Sequence, residues 1–394
     1  MKNLLTIFTV SFIYISCSKD NITTPSNNNS TNNNPVIPSP PTASNTAVII
    51  GDWGYDLYVI KASTGTIQWK GGNIAGSLEC PAYFDGKIFS PSYGGIFVYD
   101  ISTEDLIWNF PYLDRSDKGD TPIILNDIIY FGCRSSLFAY DAKTGIKKWE
   151  FLCPSDDPNN PYSSRGSIES SPTIANNIIY FTNSNGKIFA LDVKDGTLKW
   201  KFSTDKSNAI YSGICFNNGI IYFGSDDKKL YAIDANSGVK KWEFKTGDKI
   251  RSSPTVKDNL LYFGSSDHIL YVLDATTGLM QKEIVTGGEI ESSPIVSNGL
   301  LYFGNKDGYL YAYDAKTFQM KWKFNIGVFG TIASPTIANG VVYIGGQQRR
   351  LYAIDAITGT KKWEFEADDY IFTSATVIDS DNKVHYSGVS GSVN

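Results

Sequence analysis

An eleven-residue pattern, Ala-x-Asp-x-x-x-Gly-x-x-x-Trp, recurs along this chain and limits what it can fold into more than any other feature. Complete copies stand at Ala139/Asp141/Gly145/Trp149, Ala190/Asp192/Gly196/Trp200, Ala232/Asp234/Gly238/Trp242 and Ala353/Asp355/Gly359/Trp363. Three copies are partial: Val59/Gly65/Trp69 has Lys61 for the Asp, Asp100/Trp108 has Glu104 for the Gly, and Ala312/Asp314/Trp322 has Phe318 for the Gly. One more, Val272/Asp274/Gly278, puts Lys282 where the Trp belongs. The equivalent positions are 69, 108, 149, 200, 242, 282, 322 and 363. A period near forty residues marks a repeat architecture, in which each unit buries its apolar face only against its neighbours.

The unit from Ser252 to Ile284 shows what each repeat contains. SSPTV is followed by a polar turn, LLYFGSS, a second turn, ILYVLDA, the TTG turn and LMQKEI. Short runs rich in Tyr, Phe, Ile and Val between Gly/Asn/Asp turns read as four consecutive antiparallel strands, here A to D. Gly of the C–D turn supplies a positive φ, and the Asp four residues earlier accepts hydrogen bonds from the turn's own N–H groups. Four short strands per repeat with no helical period predict an all-β fold, a β-propeller.

The chain enters and leaves this pattern mid-repeat. Ala47 to Asp52 aligns with strand B and has no A strand before it, while Thr373 to Ile378 is an A strand with no C or D after it. Pairing the two ends closes eight blades and leaves no free sheet edge in the ring. Lys383 to Val389 is a surplus B-like segment competing with Ala47 to Asp52 for one slot; the N-terminal segment is favoured because it is hairpin-linked to C and D. A single chain closing its own ring is expected to be a monomer.

The docking pattern resembles that of the pyrroloquinoline-quinone (PQQ)-like propeller family, which includes quinoprotein dehydrogenases and the lipoprotein of the outer-membrane protein assembly machinery. The resemblance covers about residues 47 to 390. It implies that Trp69, Trp108, Trp149, Trp200, Trp242, Trp322 and Trp363 each pack against a neighbouring blade. Lys282 then leaves one junction weaker, and Lys282→Trp should stabilise the ring if the pocket is otherwise formed. WD-repeat propellers are the competing reading, but their Trp-Asp pair at a strand end is missing here.

Ahead of the repeats, Lys2 precedes an apolar run from Leu4 to Ile15, too short for a membrane span and fitting a secretory signal over residues 1–16. Tyr14-Ile15-Ser16-Cys17 resembles a bacterial lipobox, so Cys17 is expected to be the lipidated first residue of the mature chain; an ordinary signal leaving a free Cys is the alternative. Residues 17–45 form an Asn/Ser/Thr/Pro tract with little to bury, a disordered tether of roughly 30 Å. The propeller takes 46–394. These features place the protein in the bacterial cell envelope, anchored by lipid, with an outer-membrane address implied by Ser18. A net charge of -5 gives no basic footprint for nucleic acid.

Chemistry is sparse. His268 and His385 are the only histidines, no Cys-x-x-Cys occurs, and no Cys/His cluster has zinc spacing. In an exported chain disulfides are permitted, and Cys133 and Cys153, on one face of one blade, are a candidate pair. PQQ dehydrogenases of the family usually hold their cofactor with an adjacent Cys-Cys disulfide, a catalytic Asp and Glu/Asn ligands for calcium. The Cys-Cys pair has no counterpart here, so no cofactor is expected and a PQQ-dependent dehydrogenase is the least favoured reading. A non-catalytic scaffold for envelope proteins leads; a surface glycan- or peptide-binding lipoprotein is the alternative.

The interaction surface is expected at one mouth of the central channel. D–A and B–C loops share a face, where the insertion at residues 153–166 raises a lip. The residue three before each A-strand Pro position should ring that mouth: Leu78, Gly119, Glu169, Tyr211, Arg251, Glu291, Ile332 and Phe372. Glu169, Tyr211, Arg251 and Glu291 form a polar arc, read either as an internal ion-pair network or as a binding site with Arg251 anchoring a carboxylate. Tyr93, Arg134, Asp226, Arg349 and Arg350 are its expected rim, and Trp53, outside the repeat pattern, is a candidate contact residue.

Overall fold

The computed structural model describes residues 46–387 except 55, 72–78, 93–94, 112–119, 156–164, 169, 206–207, 328–329, 347 and 382. Residues 1–45, with the expected signal, Cys17 and the tether, lie outside them, as does most of the 153–166 insertion. The described chain forms eight antiparallel sheets, seven of four strands and one of five. It is the expected eight-bladed β-propeller.

Blade 6 shows why the sequence folds this way. Its strands are Thr255–Lys257, Leu260–Gly264, Ile269–Asp274 and Met280–Val285. The A–B connection is a two-residue hairpin with both residues at positive φ, Asp258 at 50° and Asn259 at 62°. That geometry matches the twist of the flanking strands and selects Asn, Asp or Gly; Asn126–Asp127, Asn176–Asn177, Asn298–Gly299 and Asn339–Gly340 repeat it. In the C–D turn, Asp274 Oδ1 accepts the N–H groups of Thr276 (3.0 Å) and Thr277 (2.8 Å). Gly278 follows at φ 73°, where an added Cβ would meet the Trp242 ring at 2.7 Å.

The core is not inside the blades but between them. One cluster joins Tyr222, Leu230 and Ile250 of blade 5 to Leu261, Phe263 and Tyr271 of blade 6. Near the axis, hydroxyls stitch the blades together: Gly213 N–H donates to Ser253 Oγ (2.8 Å), Ser253 N–H to Ser293 Oγ (3.0 Å), Ser293 N–H to Ser334 Oγ (2.8 Å), and Ser334 N–H to Ser374 Oγ (2.9 Å). The recurrent Ser ahead of the A strand is thus a circumferential linker, satisfying backbone N–H groups that no ladder reaches.

The ring closes as the chain ends imply. Thr376–Ile378 pairs with Ala47–Gly51, Val48 opposite Val377. The surplus C-terminal segment does not compete for that slot, because an A strand has two edges: Val384–His385 lies on the other, inner edge, His385 opposite Val377. His385 Nε2 is 2.7 Å from Asp379 Oδ2, and Tyr386 Oη lies 3.3 Å from Tyr83 N and 3.4 Å from Tyr83 O of blade 2. The closing blade is sandwiched by apolar clusters shared with blades 8 and 2.

Candidate functional site

At four junctions the indole and a core tyrosine, Trp149 with Tyr130, Trp200 with Tyr180, Trp242 with Tyr222 and Trp322 with Tyr302, converge on the next blade. Trp200 Nε1–H donates to Ala235 O (3.0 Å), which also accepts the Tyr180 hydroxyl (3.1 Å); Trp322 and Tyr302 do the same at Ala356 O. Trp149, Trp242 and Trp363 donate to Val193 O, Thr276 O and Ala62 O. Trp69 rests on Tyr99 of the next blade; Trp108 packs on Phe89 and Phe110 of its own blade and faces the next one at Gly145, where an added Cβ would stand 3.9 Å from its ring. These seven side chains are absorbed by blade packing.

Cys133 and Cys153 are both buried, but Cys153 keeps a free thiol and the two are not bridged. Cys133 ends the B strand and Cys153 follows the D strand, with Ser136–Asp141 running between them. Two strand spacings are about 9.5 Å, beyond the span of a disulfide. Burial pushes the Cys153 thiol up to about 12.

At the mouth, D–A and B–C turns bring Tyr211, Arg251 and Glu291 together; Glu169, Leu78, Gly119 and Tyr93 lie outside the described residues. Arg251 donates Nε to Asp226 Oδ1 (3.1 Å) and Nη2 to Asp226 Oδ2 (2.9 Å). Its third nitrogen is 3.9 Å from Glu291, and its Cζ sits 4.8 Å over the Tyr211 ring. The bidentate bond to Asp226 holds the guanidinium charged. Lys306 Nζ donates to Glu289 (2.8 Å) and Glu291 (3.0 Å); burial opposes its charge, yet these carboxylates raise its pKa. Lys249 stands 3.8 Å from Asp226.

Three cations therefore face three carboxylates, and Arg251 has no free fork to offer a ligand carboxylate without giving up Asp226. Of the expected rim, Asp226 belongs to this network. Arg349 bonds Glu366 and the Asp368 carbonyl, and Arg350 turns along its own blade to Glu364 and Glu366. Arg134 lies in its B–C turn at φ 48°. Lys306 and Glu289 escaped the sequence reading. The signal was available, since the column Asp226, Ser266, Lys306 stands two places after the Gly that ends the B strands of blades 5, 6 and 7.

A quinone held over calcium needs several oxygen ligands turned to the metal. Among the described residues of this mouth the oxygens of Asp226, Glu289 and Glu291 are turned to Arg251 and Lys306, an arrangement that does not fit that group. Among the described residues, no three His, Cys, Asp or Glu side chains lie together as a metal cluster.

Known proteins share this architecture. The crystal structure of BamB from Moraxella catarrhalis superposes with a TM-score of 0.63 at 18% identity, over 80% of this chain and 97% of that one. A europium-containing methanol dehydrogenase gives 0.63 at 14% identity, over 80% and 82%. A quinohemoprotein alcohol dehydrogenase from Pseudomonas putida gives 0.62 at 15%, over 82% and 75%. Identities this low establish the fold alone. A curated relative, the serine/threonine-protein kinase AfsK of Streptomyces griseus, is 24% identical over 158 residues, which span 38% of this chain but 19% of the kinase. A family model described as outer membrane protein assembly factor BamB matches residues 29–209, 184–281 and 279–389. With the match running through nearly all of its length, the chain belongs to the family of the outer membrane protein assembly factor BamB.

Proposed function

We propose that this protein is a non-catalytic scaffold of the bacterial cell envelope, tethered by lipid at Cys17, which presents the mouth of its propeller to a partner in outer-membrane protein assembly. The family match from residue 29 to 389 carries the reading. The mouth supports it. Its carboxylates are neutralised within the network of Arg251 and Lys306, which favours a rigid surface over a reactive centre, while Trp53, Tyr211 and Tyr370 stand exposed around it. Exposed aromatics on a rigid frame are typical anchors of protein interfaces.

Mild detergent extraction of the full-length protein from its native envelope tests the proposal. An outer-membrane barrel protein should co-purify in stoichiometric amount and be lost on Trp53→Ala. Purification alone, with the protein released without detergent, would remove both the anchor and the assembly role.

A further inference from the structure

The mouth changes character round its circumference. From blade 5 to blade 7 its ring carries Tyr211, Arg251 and Glu291; the next two places carry Ile332 and Phe372. Trp53 and Tyr370 join Phe372 at the closing blade. Trp53 N–H donates to Tyr370 O at 2.9 Å, the Trp53 ring meets Phe372 edge-on at 5.5 Å and 78°, and Tyr370 lies 5.9 Å from Phe372. Trp53 and Tyr370 are each 47% exposed. Neither belongs to the set of indoles and tyrosines that dock blade on blade.

Carboxylates stand beside this patch, and all but one are satisfied. Asp52 is buried and accepts from the Asp56 and Asp369 N–H groups and the Tyr58 hydroxyl. Asp56 and Asp368 share the Lys70 ammonium. Arg349 is committed to Glu366 and the Asp368 carbonyl. Asp369 is different: its Oδ1 accepts the neighbouring Tyr370 N–H at 2.7 Å, and among the described residues no cation pairs with it. Its side chain packs against the Trp53–Gly54 turn, 3.0 Å from where a Cβ on Gly54 would stand.

Aromatic faces attract cations, and a carboxylate beside them adds a charged acceptor. An anion would meet Asp369 with repulsion, and a purely apolar group would leave it unpaired. We infer that this patch, within the partner face proposed above, receives an arginine or lysine side chain of the partner protein, whose apolar neighbours rest on Trp53 and Ile332.

The test uses the intact propeller labelled with 5-fluorotryptophan, the Trp53 fluorine resonance being assigned with Trp53→Phe. Blocked tripeptides Leu-Arg-Leu, Leu-Gln-Leu and Leu-Glu-Leu are titrated in turn. Saturable movement of the Trp53 signal by the arginine peptide alone is expected, weakened about fivefold by Asp369→Asn and unchanged by Glu283→Gln on the outer strand of blade 6. Equal responses to all three peptides, or a response indifferent to Asp369→Asn, would overturn the inference. Such a failure leaves the co-purification result standing, so the two readings fall separately.

Discussion

Lys282 and Phe318 hold, at one blade junction, the two places where Trp242 meets Gly278 one junction earlier and Trp322 meets Gly359 one junction later. Phe318 keeps the turn's left-handed backbone at φ 56° and packs its ring on a cluster containing Ile284 and Leu301. Aromatic bulk has moved across the junction, from the outer strand of one blade to the turn of the next.

Lys282→Trp alone should therefore cost stability, against the expectation drawn from the repeat, because a second large ring meets an occupied site; overpacking of this kind costs about 1–3 kcal/mol. Adding Phe318→Gly should recover much of it, with a coupling of about 0.5–3 kcal/mol between the two changes. Urea melts of the four proteins measure this. A single Lys282→Trp variant as stable as the double would show that the places are independent.

Acid should loosen every blade that carries the turn aspartate. Asp141, Asp314 and Asp355 are held down to about 2, first by the N–H groups of Thr144, Thr317 and Thr358, and Asp100, Asp192, Asp234 and Asp274 shift the same way. An unfolded aspartate titrates near 3.9, so the folded chain binds fewer protons in this window. The stabilisation is complete above about pH 4 and is lost as pH falls toward about 2. Melting temperature should drop across that range, less steeply in Asp355→Asn; a flat profile would mean the turns add nothing.

The blade count and the Trp positions were legible because they rest on local signals that recur round the ring, a turn residue, a strand run, a fixed offset, and the closure because the first and last segments are complementary parts of that same unit. Single events were not. The inner-edge position of Val384–His385 depends on an edge that no repeat unit advertises, and the separation of Cys133 from Cys153 depends on the strand between them. Arg251 was found by its ring position, but its pairing with Asp226 joins two turns whose facing requires the ring to be built.

Removing residues 383–394 should leave the ring closed, since Ala47–Gly51 still pairs with Thr376–Ile378. Tyr386 would no longer reach Tyr83, and the Cys80 thiol, raised to about 11 by burial and bonded to Ser374 and Ser387, would lose part of its cover. Alkylation at Cys80, followed by mass spectrometry, should quicken several-fold with a small fall in melting temperature. Unchanged labelling would show that the tail does not shield the throat.

Photocrosslinking in the native envelope tests the central claim most directly. A benzoylphenylalanine at Tyr211 or Ile332 on the mouth is compared with one at Asn298, in the A–B turn of blade 7 on the opposite face. Adducts with an outer-membrane barrel protein from Tyr211 and Ile332, and none from Asn298, are the predicted result. Adducts from Asn298 alone, or no adduct from the mouth, would contradict a scaffold that works through that face.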